Sequence, residues 1–84
     1  MKHIEYFQDG KVKEEGELHE GIKNGIWTEY YPNGKQKVKK YYDEGKKHGI
    51  FEYFKESGEL DFKVNYIMGK IKVSNFKISR IIKI

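Results

Sequence analysis

Short stretches of the chain alternate between apolar and polar side chains, and this alternation is the strongest structural pattern in the 84 residues. From Leu60 to Tyr66 every second residue is apolar or aromatic, and each residue in between is charged or carries an amide. A period of two residues is typical of a β-strand with one buried face. No stretch shows the 3.6-residue periodicity of an amphipathic helix. The pattern therefore predicts an all-β protein.

The alternation recurs at a fixed interval, and aromatic residues and glycines mark each copy. One aromatic series is Tyr6, Tyr30 and Phe54, and a second is Trp27 and Phe51. Three glycine series keep the same step, namely Gly10, Gly34 and Gly58, then Gly21, Gly45 and Gly69, then Gly25 and Gly49. A fixed period in this range is typical of small supersecondary units stacked in a row.

Each copy contains a residue pair that favours a tight turn, namely Asp9-Gly10, Asn33-Gly34 and Ser57-Gly58. Asn-Gly is a strong hairpin signal because a type I′ turn needs positive φ at both central residues. We therefore predict three antiparallel hairpins in repeats over about residues 1–24, 25–48 and 49–72. The paired glycines between the hairpins predict longer connecting turns. The predicted architecture is an elongated, single-layer antiparallel sheet of consecutive β-hairpins with a C-terminal capping strand or hairpin.

The predicted turns also fix which residues face each other. With Asn33-Gly34 as a two-residue loop, Glu29 opposes Val38 and Tyr31 opposes Gln36. Opposed residues share a face of the sheet, so one face becomes more apolar from the N-terminus to the C-terminus. The residues collected there include Trp27, Tyr31, Val38, Tyr42, Phe51, Tyr53, Leu60, Phe62, Val64 and Tyr66. The other face receives Tyr6, Tyr30 and Phe54 among charged residues.

The repeat pattern stops after Gly69. Val73 stands where the next glycine is expected, and Asn75 stands where an aromatic residue is expected. The last residues are instead rich in isoleucine. We predict that residues 73–84 form the cap that a repeat array requires. The alternative is an adhesive edge for a second subunit or another partner.

Composition narrows the classes of function. A chain of 84 residues is one domain at most, and it has no cysteine for a disulfide or a thiolate metal site. No apolar run approaches the ~20 residues of a membrane span, and the N-terminus lacks the apolar stretch of a signal peptide. The expected location is therefore the cytoplasm. The net charge of +4 could attract an anionic partner. All but one of the 17 basic residues are lysines, which disfavours a nucleic-acid partner because arginine dominates such contacts.

No constellation for catalysis or metal binding is evident. His3, His19 and His48 share no ligand spacing. Paired carboxylates would need a cleft, and a flat sheet offers none. The glycines belong to turns, and no helix follows them to bind a phosphate. We therefore predict a protein that is not an enzyme and that needs no metal or cofactor.

A composite motif carries a family resemblance. In the second copy it comprises Gly25, Trp27, Tyr30, Asn33, Gly34, Lys35, Tyr42, Gly45, Lys46 and Gly49, and in the third copy Gly49, Phe51, Phe54, Gly58, Tyr66, Gly69 and Lys70. This unit resembles the MORN-type repeat over about residues 6–72, and it is most similar to the bacterial variant found in the YwqK-type antitoxin family. The resemblance implies an elongated sheet of hairpins that acts by binding. In some relatives it implies neutralisation of toxins, and in others scaffolding or contact with membrane lipids.

Two surfaces are candidates for binding. The first hypothesis is a non-catalytic protein-interaction module, and its specific case is an intracellular antitoxin or immunity protein. Such a module would bind through exposed aromatic residues and their neighbours. The candidates for this role are Trp27, Tyr30, Lys37, Ile50 and Phe54. The alternative is a scaffold, self-associating through the apolar tail, or a protein that binds an anionic membrane or polymer surface. The candidates for anion binding are Lys35, Lys37, Lys39, Lys46 and Lys47.

Overall fold

The computed structural model describes residues 1–72, which form one open antiparallel sheet of eight strands. The strands are β1 (Lys2–Tyr6), β2 (Val12–His19), β3 (Ile22–Tyr30), β4 (Gln36–Asp43), β5 (Lys46–Lys47), β6 (Gly49–Phe54), β7 (Leu60–Ile67) and β8 (Lys70–Ile71). Their order is β1-β2-β3-β4-β6-β7-β8, and β5 also pairs with β4. The principal extents of 41 × 34 × 14 Å are those of a single layer. The predicted all-β fold of consecutive hairpins is confirmed, whereas the predicted cap over residues 73–84 lies outside the described residues.

The three hairpin turns share one conformation, and it differs from the predicted type I′ turn. In the second copy the Gly34 N–H donates to the Tyr31 carbonyl at 2.9 Å, and the Tyr31 N–H donates to the Lys35 carbonyl at 2.8 Å. Gly34 has a φ of 90°, while Asn33 does not have a positive φ. This is a three-residue loop in which a type I turn is followed by a glycine bulge. Pro32 fits its first central position, and the Asn33 side chain accepts a bond from the Lys35 N–H at 2.8 Å.

Two-residue turns with positive φ at both central residues do occur, but they lie between the hairpins. At the second connection Glu44 has a φ of 49° and Gly45 a φ of 89°, and the flanking Asp43 and Lys46 are paired. The same pattern holds at Glu20-Gly21 and Met68-Gly69. The prediction of longer connecting turns is therefore wrong. The second glycine of each pair lies in a strand instead of in the turn, Gly25 inside β3 and Gly49 at the start of β6.

The strand register shifts beside each hairpin turn, at a second bulge beyond the glycine bulge of the loop. Glu29 opposes Val38 as predicted, but Gln36 pairs with Tyr30 and not with Tyr31. Lys37 is therefore an extra residue in β4. Lys13 and Asp61 occupy the same place in the other copies. The predicted register is correct away from the turns and wrong next to them, because the loop has three residues instead of two.

The apolar core lies on one face, which we call the core face. Its buried side chains are Trp27, Val38, Phe51 and Val64. The Lys23 ammonium lies 4.7 Å from the centre of the Trp27 ring, and one repeat later the Lys47 ammonium lies 5.8 Å from that of Phe51. Lysine side chains thus cover aromatic rings that no second layer of residues 1–72 covers. The other face, the opposite face, carries a row of paired residues across the strands, namely Ile4, Glu15, Thr28, Lys39, Glu52 and Lys63.

Candidate interaction surface

Exposed apolar side chains form a band on the opposite face, which we call the isoleucine stripe (Ile26, Tyr41 and Ile50). The exposed fractions are 55% for Ile26, 42% for Tyr41 and 54% for Ile50. Ile26 and Tyr41 are cross-strand partners in β3 and β4, and β6, which carries Ile50, is the next strand. Exposed apolar side chains that lie together are typical of a binding surface.

Two glycine bulges place the isoleucines of this stripe. Gly25 precedes Ile26 and Gly49 precedes Ile50, and both glycines have a φ of 83°. The register between β2 and β3 shifts at this point, so Gly25 and Ile26 have no partner in β2. A bulge re-aims the side chain that follows it and is frequent next to functional sites. The period of the glycines therefore also sets the spacing of the exposed isoleucines.

Tyr30 and Phe54, two of the predicted contact residues, are half-buried beside the polar row of the opposite face. The Tyr30 hydroxyl donates to a Glu15 carboxylate oxygen at 2.6 Å. This hydrogen bond, with burial as a second cause, raises the pKa of Tyr30 to about 12. The Phe54 carbonyl accepts a bond from the Tyr31 hydroxyl at 2.6 Å. Both aromatic residues are thus only partly exposed.

Trp27, another predicted contact residue, lies in the core. Only 1% of its surface is exposed. Its indole N–H donates to the Glu17 carbonyl at 2.9 Å. The ring lies flat against Gly16, where an added Cβ would be 2.1 Å from the indole. Trp27 supports the sheet and is not accessible for direct contact.

The five candidate anion-binding lysines do not form one cluster. The Lys35 ammonium donates to the Ser57 carbonyl at 2.9 Å, and the Lys37 ammonium lies 5.8 Å from the Tyr31 ring centre. Lys47 covers rings on the core face, whereas Lys39 lies in the polar row of the opposite face. Lys46 is exposed next to a connecting turn. The positive charges are thus divided between the two faces and the turns.

A charged cluster on the core face was missed by sequence reasoning. The Lys40 ammonium lies 2.6 Å from a Glu14 oxygen and 2.8 Å from a Glu29 oxygen. Burial lowers the pKa of Lys40, but the two carboxylates outweigh it and leave this pKa raised. Burial likewise raises the pKa of Glu14, but Lys40 and then Lys23 outweigh it and leave this pKa lowered. The cluster binds three strands together. The available signal was the series Glu5, Glu29 and Tyr53, which occupies one position of the repeat.

Residues 1–72 contain no group of three or more metal-ligating side chains that could hold a metal ion. The same residues contain no helix of the length and apolar character needed to cross a membrane.

The fold and this surface define a repeat protein built from β-hairpins. Residues 1–19, 23–43 and 47–68 match the family model of the MORN repeat variant. These three stretches cover most of the chain, and the protein belongs to this family. MORN repeats are generally modules that bind proteins or membranes, and the family is generally non-enzymatic. No curated protein matches the chain at a significant level, and neither does any solved structure.

Proposed function

We propose that this MORN repeat protein binds another protein through its isoleucine stripe, and that the partner is a toxin that it neutralises in the bacterial cytoplasm. The observation that carries the proposal is the half-exposed state of Ile26, Tyr41 and Ile50 on one face of the sheet. The toxin as partner rests on the resemblance of the repeat motif to the YwqK-type antitoxins.

The surroundings of the stripe indicate the chemistry of the partner. Lys39 and Glu52 are cross-strand partners on the same face, so the stripe is bordered by charges of both signs. An apolar centre with a polar border is the usual anatomy of a protein–protein interface. Tyr30 and Phe54 would add the edges of their rings to such an interface, and Lys37 would add a charge at the bulge of β4. The expected partner presents apolar side chains surrounded by mixed charges.

The stripe can be tested with matched isoleucine variants. Ile50→Asp and Ile26→Asp should each weaken partner binding tenfold or more, since a carboxylate cannot be buried unpaired in an apolar interface. Ile71→Asp is the control, because Ile71 is 46% exposed but pairs with Tyr66 of the core face. The measurement is calorimetry with a partner captured by the tagged chain. Equal loss of affinity in all three variants would refute the stripe as the contact surface.

The antitoxin role has its own test. The chain should restore growth when it is co-expressed with a toxin encoded beside its own gene, and Ile50→Asp should abolish the rescue. The Ile71→Asp variant should still rescue. If the chain binds a neighbouring protein that is not toxic, the binding function stands and the antitoxin role fails.

Binding to an anionic surface is the alternative, and it gives a different result. It is favoured by the net charge of +4 and by the exposed Lys39 and Lys46. That mode predicts sedimentation with phosphatidylserine vesicles, loss of binding as salt rises, and loss in Lys39→Glu. Our proposal predicts no sedimentation at physiological salt. Vesicle binding that weakens with salt and is unchanged in Ile50→Asp would contradict our proposal and support the alternative.

A further inference from the structure

Strand β1 forms one edge of the described sheet, and its free backbone groups are arranged for pairing. Met1 exchanges both backbone hydrogen bonds with Leu18, at 2.8 and 2.7 Å. Bonded and non-bonded pairs alternate along an antiparallel ladder. The N–H and C=O groups of Lys2, Ile4 and Tyr6 therefore point away from β2. Within residues 1–72 no strand pairs with this edge.

The equivalent edge is used twice inside the molecule. β3 and β6 take the place of β1 in the second and third repeats, and each receives an antiparallel strand there. Thr28 of β3 pairs with Glu15, and Glu52 of β6 pairs with Lys39. Ile4 holds the same repeat position in β1. No proline interrupts β1, and the bulge near its end lies in β2, so neither of these common protections blocks the edge.

We propose that β1 pairs antiparallel with β1 of a second copy of this chain, across a two-fold axis at Ile4. Ile4 then lies opposite Ile4 of the second copy, His3 opposite Glu5, and Lys2 opposite Tyr6. Each opposed pair is favourable: two aliphatic side chains, an imidazole with a carboxylate, and an ammonium with an aromatic ring. The strand is complementary to itself in this register.

Neighbouring registers are worse. A two-fold axis perpendicular to the sheet keeps both core faces on one side. Because opposed residues share a face, the axis must lie midway between the two copies of one residue. An axis at Glu5 opposes two carboxylates, and an axis at His3 opposes two imidazoles and leaves Tyr6 unpaired. Only the axis at Ile4 gives every residue of β1 a partner in β1. It also joins the outward-pointing groups of Lys2, Ile4 and Tyr6 in narrow pairs, with about two hydrogen bonds each.

The proposed dimer extends the sheet through the axis and leaves both isoleucine stripes on the same side. It does not depend on the function proposed for the stripe. Because a five-residue strand contributes a small interface, we expect an association that responds to protein concentration.

Sedimentation equilibrium of the full chain tests the association. We expect a monomer–dimer equilibrium whose dissociation constant rises at least tenfold in Ile4→Lys, because two ammonium groups then meet at the axis. Ile4→Val is the matched control and should dimerise like the wild type. Fluorescence of the buried Trp27 confirms that each variant is folded. A wild-type protein that is monomeric at every concentration would overturn the proposal, and so would a dimer whose dissociation constant is unchanged in Ile4→Lys.

Disulfide formation tests the register, because the chain has no cysteine of its own. His3→Cys and Glu5→Cys should cross-link when the two variants are mixed and oxidised, and much less when either is alone. Equal cross-linking of each variant with itself would overturn the register. A dimer that disappears on deletion of residues 73–84 but ignores Ile4→Lys would assign the association to the tail and overturn the proposal.

Discussion

Two regions of the sheet have equivalent backbones but different side chains on their core faces. One is the junction between the first and second repeats, and the other is the third repeat. In the third repeat Tyr53 stacks on Phe62, with ring centres 4.5 Å apart and planes 13° from parallel. One repeat earlier, Glu29 takes the place of Tyr53 and binds the Lys40 ammonium. The turns and bulges are the same in both regions. The repeat backbone thus accepts either an ion cluster or an aromatic stack at the same positions.

The same two regions differ in how they make room for their largest side chain. Trp27 lies against Gly16, which has no side chain to displace. Phe51, a smaller ring, pairs with Val64 of its own hairpin, and the residue one repeat after Gly16 is Lys40. A glycine of the preceding hairpin thus makes room for the larger ring, and a valine of the same hairpin pairs with the residue that carries the smaller one.

The largest expected effect comes from adding one methyl group at this contact. Gly16→Ala should lower the free energy of unfolding by about 2–3 kcal/mol, since the new Cβ would overlap the indole of Trp27. The indole cannot retreat without losing its bond to the Glu17 carbonyl. Urea unfolding followed by Trp27 fluorescence measures the change.

Val64→Ala is the comparison variant in the third repeat, where alanine is smaller than the native residue instead of larger. It should cost about 1–2 kcal/mol through loss of buried methyl groups. Alanine has a higher strand propensity than glycine, so an unchanged or raised stability in Gly16→Ala would contradict the close contact.

The ion cluster provides the second comparison. Lys40→Met should cost about 2 kcal/mol, because Glu14 and Glu29 then face each other without the ammonium that bridges them. The combined variant Glu14→Val, Glu29→Tyr and Lys40→Val copies the residues found one repeat later and should recover this loss. Chemical denaturation of the three proteins checks both statements. A combined variant less stable than Lys40→Met would show that the two regions are not interchangeable.

The strand pattern could be predicted from the sequence because alternation and glycine period both report on local backbone geometry. The pairing of Glu29 with Val38 follows from that reasoning. The type of hairpin turn does not, since Asn33-Gly34 suits two turn types; in the turn that forms, the Lys35 N–H donates to the Asn33 side chain.

Contacts between repeats were harder to predict than contacts within a hairpin. The pairing of Glu14 with Glu29 depends on the two extra residues at the Gly25 bulge. That shift has no sequence signal beyond the glycine itself. The ion cluster therefore escaped prediction. The face of Ile50 follows from the hairpin register alone, and so does that of Ile26 one repeat earlier, although only Ile50 was identified as a candidate.

Each of the two regions contains a tyrosine with a raised pKa, Tyr30 in one and Tyr53 in the other. Alkaline titration can show that the causes differ. The bond to Glu15 raises the pKa of Tyr30 to about 12, whereas burial and then Tyr66 raise that of Tyr53 to about 12. Glu15→Gln should therefore bring the pKa of Tyr30 down towards the ordinary tyrosine value of about 10 and leave that of Tyr53 unchanged. Absorbance titration in Tyr30→Phe and Tyr53→Phe backgrounds assigns each step.

The same titration has a consequence for stability. Because a raised pKa favours the neutral phenol in the folded state, this contribution is complete below about pH 10 and is lost as the pH rises towards 12. The loss should be smaller in Glu15→Gln than in the wild type. An equal loss in both proteins would assign the alkaline sensitivity to the third repeat instead.

The smallest expected effect concerns the connecting turns, where the two regions again use different residues for one task. The Asn24 side chain accepts a bond from the Glu44 N–H at 2.9 Å, and one repeat later His48 Nδ1 accepts one from the Met68 N–H at 3.3 Å. His48→Asn should leave the stability unchanged, since asparagine already serves this turn type one repeat earlier. His48→Ala should cost about 0.5–1 kcal/mol, and no more, because the freed N–H is exposed and can bind water. Thermal unfolding of both variants measures the difference. A loss in His48→Asn as large as in His48→Ala would indicate that the imidazole acts through its contact with the Tyr41 ring, 6.5 Å away between centres, and not through the turn.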